Sequence, residues 1–215
     1  MAQNEHADCG DAAPVAFLHE RAMENLSFIR DTMARSAPLT AVSGWGTVVM
    51  GFAALVGAYV GSFRRTEDWW IGVWLAVAFA GCLAGFAGMV FKSRRQGVPL
   101  FTAVGRNFAL SLFPPIFAGV VLTEVLYERE LDALMPGVWL MMYGVGVVTG
   151  GAFSIKVLPL TGFCFIFLGV YAFYPPVPIF DPVVGTLTCA DLILAAGFGL
   201  IHIASGLYIA WRHDG

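Results

Sequence analysis

From residue 42 onward the chain is built almost wholly of long apolar runs, and six can be drawn: 42–63, 69–91, 107–126, 134–153, 158–174 and 187–211. A bilayer core about 30 Å thick takes about 20 helical residues, with a range of about 17–25. The fifth run lies at the short limit, and Pro114-Pro115 interrupts the third. In lipid a segment must satisfy its own backbone hydrogen bonds, so runs this long read as helices. Barrel strands would alternate apolar and polar residues instead. The expected fold is therefore all-α, a polytopic membrane bundle of six transmembrane helices occupying residues 42–211. Composition agrees: 13% of residues are charged and 58% are hydrophobic, against about 25% charged in a soluble domain. A net charge of −3 also argues against nucleic acid, which needs a basic patch.

The stretch before the first run divides in two. Residues 1–14 are small and polar without periodicity, and read as a disordered tail. Residues 15–36 read as an amphipathic helix, because Leu18, Ala22, Leu26, Ile29 and Met33 recur at three- and four-residue spacing. Glu20 and Glu24 lie early and Arg30 and Arg35 late, which suits the helix dipole. The Leu18, Leu26, Ile29 and Met33 stripe is a candidate face for docking on the membrane surface or on a protein partner. The polar, acidic amino terminus lacks the pattern of a cleavable signal, so the first span is expected to direct insertion.

Orientation follows from lysine and arginine. With six spans, Arg21, Arg30, Arg35, Lys92, Arg94, Arg95, Arg106, Lys156 and Arg212 share one side, and Arg64, Arg65 and Arg129 the other. Basic residues stay cytoplasmic, so both termini are expected in the cytoplasm, with the 92–106 loop carrying most of the decision.

The stretch from His19 to Met33 (HERAMENLSFIRDTM), leading into Ser43-Gly-Trp-Gly46, and the stretch from Tyr143 to Ser154 (YGVGVVTGGAFS) resemble an uncharacterised family of small bacterial multi-span proteins. The resemblance covers residues 15 to 212. It implies a bacterial inner-membrane location and carries no activity and no site residues.

Few residues carry chemistry. His202 sits near the middle of the sixth run, and an ionisable group at that depth is a functional hypothesis by default. It has the chemistry to ligate haem iron, meet a quinone carbonyl or relay a proton. His6, His19 and His213 lie outside the runs, so one chain cannot supply a bis-histidine haem site. The plainer reading is a hydrogen bond to Ser, Thr or a backbone carbonyl of a neighbouring helix. A leucine there is then expected to be tolerated for insertion.

Glu124 lies just inside the end of the third run, in a row with Glu128 and Asp132. Glu67, Asp68, Asp181 and Asp191 map to the same outer face. Pro114 and Pro115 form a candidate helix break of the kind that builds transporter sites. The dense glycines of runs two, four and six read as close helix packing. Trp74-Leu75 with Gly81 and Gly85 is echoed by Trp139-Leu140 with Gly146 and Gly150. Trp45, Trp69, Trp70, Trp139 and Trp211 lie near run ends, as an interfacial belt requires.

Cys9, Cys82, Cys164 and Cys189 show no metal or disulfide spacing. Metalloprotease, nucleophile-elbow, phosphate-loop and dinucleotide motifs are missing. No cofactor and no metal is expected. Three readings remain open: a non-enzymatic accessory or regulatory membrane protein, a small transporter or channel using Glu124, His202 and the broken third helix, and a haem or quinone anchor using His202.

Overall fold

The computed structural model describes residues 21–27, 42–63, 66–97, 103–152 and 154–212. Residues 21–27 are helical (α1) and every side chain in them is exposed, Leu26 included. Leu18, Ile29, Met33 and the 1–14 tail lie outside the described residues.

Each of the six apolar runs is a helix: α2 (Gly44–Gly61), α3 (Glu67–Gln96), α4 (Ala103–Glu128), α5 (Met135–Gly151), α6 (Val157–Ala172) and α7 (Cys189–Arg212). Within α7, Ala195–Ile201 is wound as a π-helix. Five of these helices are long and apolar enough to cross a membrane; α6, with 16 residues, is shorter. At about 1.5 Å per residue it measures about 24 Å, less than the about 30 Å of a bilayer core.

Local sequence sets the boundaries. The Ser43 hydroxyl accepts from Gly46 N at 3.1 Å and starts α2. Thr66 does the same for α3 through Trp69 N, at 3.1 Å. Gly97, at φ +67°, closes α3 in the left-handed conformation that favours glycine. The helix thus runs further than the sequence pattern indicated. Lys92, Arg94 and Arg95 stand on its last turns rather than in a loop. Lys92 is buried and donates to the Val42 carbonyl at 3.2 Å.

The expected break at Pro114-Pro115 needs correction. α4 continues through both prolines. Pro115 has no N–H for the Ser111 carbonyl, but the Thr149 hydroxyl of α5 lies 3.1 Å from that oxygen, sharing its one proton with the Val145 carbonyl of its own helix at 2.9 Å. A side chain from a neighbouring helix thus meets the backbone group that proline leaves without a partner.

Glycines set the packing. A methyl on Gly44 would stand 2.3 Å from Ala210 N, and one on Gly51 would stand 2.7 Å from the Gly199 carbonyl. Gly206 meets the Gly44 carbonyl at the same kind of range, 2.7 Å. α2 and α7 therefore touch backbone to backbone along glycines spaced seven apart. α5 and α6 repeat the device: a methyl on Gly144 would meet the Gly162 carbonyl at 2.8 Å, and one on Gly169 the Gly137 carbonyl at 3.0 Å. Side chains at these positions would hold the helices apart, which is why membrane bundles keep them small.

α3 packs on the other face of α2, with Gly85 against Met50, and α4 packs on α5, with Gly146 against Leu112. α3 and α4 are the outer members. Only 11% of the apolar stretch of each is buried, against 44% for α2 and α5. The sequence echo does not carry into this packing, since Trp74 is buried with Leu75 exposed while Leu140 is the fully buried member of the second pair.

Charge is polarised along the bundle. Among its described residues, Glu67, Asp68, Glu124, Glu128, Glu130, Asp132, Asp181 and Asp191 all lie at one end, joined only by Arg129. Lys92, Arg94, Arg95, Arg106, Lys156 and Arg212 lie at the other. At the acidic end, an antiparallel hairpin of β1 (Pro182–Val184) and β2 (Leu187–Thr188) leads into α7. It is tied to the end of α2 by a Ser62–Thr186 hydroxyl contact of 3.0 Å.

Candidate functional site

His202 opens the second α-helical stretch of α7, just after the π-helical one, and is buried. Its Nδ1 lies 2.8 Å from the Phe198 carbonyl, one turn back in its own helix. A carbonyl only accepts, so Nδ1 carries a proton. In the neutral ring Nε2 is then an acceptor, and the Tyr143 hydroxyl of α5 donates to it at 2.7 Å. Phe165 and Phe198 wall the pair: Tyr143 and Phe165 meet edge to face with centroids 4.9 Å apart, and Phe165 lies 5.1 Å from the imidazole. Both ring nitrogens are thus used, within an apolar cage.

The neighbouring-helix partner is therefore a tyrosine, where the sequence suggested Ser, Thr or a carbonyl; the carbonyl comes from His202's own helix. Tyr143 went unassigned because its place on the inward face of α5 has no periodicity signature in a span apolar all round. Its one legible signal was a phenol at mid-span, which needs a partner when buried.

A second polar network lies nearer the acidic end. Asp191 is fully buried in the first turn of α7. Its Oδ2 accepts from the Thr188 hydroxyl at 2.7 Å and from Thr188 N at 3.1 Å, while Thr188 Oγ1 accepts from Asp191 N. This is a reciprocal capping box. Its Oδ1 accepts from the Trp70 indole of α3 at 2.9 Å. Trp70 stacks on Trp139 of α5, centroids 5.5 Å apart and planes 11° apart, and Trp139 donates to the Thr123 hydroxyl of α4 at 2.8 Å. One connected chain of contacts thus joins α7, α3, α5 and α4.

Two assignments change here. Asp191 belongs to the core rather than the outer surface, because its carboxylate caps a helix start that packing has buried. The T-x-x-D pattern before an apolar run was the legible signal. Trp70 also leaves the interfacial belt for the core, with 1% of its surface exposed, and Trp139 is half-buried beside it. Trp45, Trp69 and Trp211 are exposed, as a belt requires.

Glu124 is exposed on α4, while its neighbour Thr123 faces Trp139. It makes none of His202's contacts, so the two intramembrane candidates are not brought together. Among the described residues, no group of three His, Cys, Asp or Glu side chains is placed to hold a metal ion. No protein-family model, curated protein or solved structure matches the chain.

Proposed function

We propose that the chain is a six-span bacterial inner-membrane protein with both termini in the cytoplasm, acting without chemistry of its own as an accessory or regulatory component for a protein partner. The observation that carries the functional part is the occupancy of His202. Nδ1 donates to Phe198 and Nε2 accepts from Tyr143. Iron ligation would require Nε2 to give up the tyrosine, and a quinone carbonyl would find no free donor on the ring.

Three features weigh against the transporter reading. Glu124 points out of the core, His202 is enclosed, and α4 runs through its prolines. The exposed Met23 and Leu26 of α1 fit a docking face for a partner. The six-span count is supported by the glycine contacts that run along α6 from Gly162 to Gly169. The charge polarity then supports the orientation, with the basic end inside.

The test is purification in mild detergent, with a visible absorption spectrum and identification of co-purifying proteins. A colourless preparation carrying one protein in stoichiometric amount is expected. A haem band would reject the reading, as would reconstituted chain alone that passes ions.

A further inference from the structure

We propose a binding site for one water molecule, or a neutral hydroxyl of that size, between Trp74 of α3 and Asp191 of α7, over the bare backbone of Gly61 in α2. The Trp74 indole N–H is buried and has no hydrogen-bond partner among the described residues. A buried donor left without an acceptor is rare in native proteins and points to an unassigned partner.

The acceptor side is equally specific. Asp191 Oδ2 has two donors, both from Thr188. Oδ1 has one, the Trp70 indole, and a carboxylate oxygen accepts two. The two unfinished groups border the same spot. A methyl built on Gly61 would stand 3.3 Å from Asp191 Oδ1 and 3.5 Å from Trp74 Nε1, with Trp70 Cδ1 also at 3.5 Å. Outside α2's own backbone these are the nearest heavy atoms to that point.

The chemistry selects the occupant. It must accept from an N–H and donate to a carboxylate at once. An anion meets the negative oxygen and cannot donate. A metal cation meets the positive edge of an indole. Water does both, and a buried water needs two to four polar partners. Bound there, it would link α3 to α7 across the end of α2 and give the fully buried carboxylate a fourth donor. The position explains Gly61: any side chain would take the water's place.

The test uses the intact protein. A structure resolved well enough to show ordered water should place one density peak at about 2.7–3.2 Å from both Trp74 Nε1 and Asp191 Oδ1. Empty density beside a bare indole, or a Trp74 N–H turned directly onto a protein acceptor, would overturn the proposal. A second measurement reads the indole itself. In protein carrying ¹⁵N-labelled tryptophan, assigned by W74F, the Trp74 N–H resonance should report a hydrogen bond. Gly61→Ala should shift it to the non-bonded position and leave the Trp70 resonance unmoved. A wild-type resonance already non-bonded, or one indifferent to Gly61→Ala, would reject the site. If either variant fails to fold, the wild-type density decides alone.

Discussion

Replacing His202 by leucine tests the buried pair directly. The substitution removes an acceptor from the Tyr143 hydroxyl and a donor from the Phe198 carbonyl, both within the aromatic cage. A buried polar group without a partner costs about 1–3 kcal/mol. Hydrogen-bonded pairs inside membrane bundles are worth less, about 0.6 kcal/mol on average and up to about 1.7, since the unfolded chain in lipid also finds partners. The two lost bonds then total about 1–3 kcal/mol, from which the apolar leucine recovers part. Insertion should survive and stability should fall. Tyr143→Phe orphans only the Nε2 lone pair and should cost about 1 kcal/mol. The decisive quantity is the coupling in the double-mutant cycle, expected at about 0.6–1.7 kcal/mol. Equilibrium unfolding in mixed micelles, followed by circular dichroism as the denaturing detergent fraction rises, measures all four proteins. A coupling indistinguishable from zero, or a His202→Leu protein more stable than wild type, would refute the closed network and reopen the histidine to a ligand.

Asp191→Ala strands the Trp70 indole and both Thr188 donors, so about 3 kcal/mol should be lost in the same assay, while Asp191→Asn keeps one acceptor and should cost about half as much. Gly206→Val drives a branched side chain against the α2 backbone and should destabilise by about 1–3 kcal/mol or abolish the fold, whereas Gly72→Ala, where a methyl meets no atom within 4 Å, should be neutral in thermal melts. Thr149→Val removes the hydroxyl shared between the Ser111 and Val145 carbonyls, with an expected loss of about 1 kcal/mol that should shrink when Pro115 is also replaced by alanine. Reporter fusions at residue 215 and in the 175–186 loop should read cytoplasmic and periplasmic respectively, and a periplasmic carboxyl end would overturn the topology.

The division between what the sequence revealed and what it hid has a physical cause. Helix positions were legible because hydropathy is a one-dimensional property: each of the six runs is a helix, and five of them are long and apolar enough to cross a membrane. The inward faces were not legible, because in lipid both faces of a helix are apolar and periodicity loses its contrast. Trp70 and Trp69 are adjacent aromatic residues at one helix start, yet one is fully buried on Asp191 and the other exposed. Only the glycines marked the faces, since backbone contact tolerates nothing larger. Seven-residue spacing recurs at Gly81 and Gly88, at Gly137, Gly144 and Gly151, and at Gly162 and Gly169, so it marks seams without choosing partners; the structure pairs Gly44 and Gly51 of α2 with Gly206 and Gly199 of α7, running the other way. That pairing brings the start of α7 to the end of α2, buries the Thr188–Asp191 capping box, and so turns a nominally outer carboxylate into the acceptor of the Trp70 indole. The polar core follows from glycine geometry, and mutations in the glycine seam should therefore disturb the Asp191 network before they disturb the lipid-facing α3 and α4.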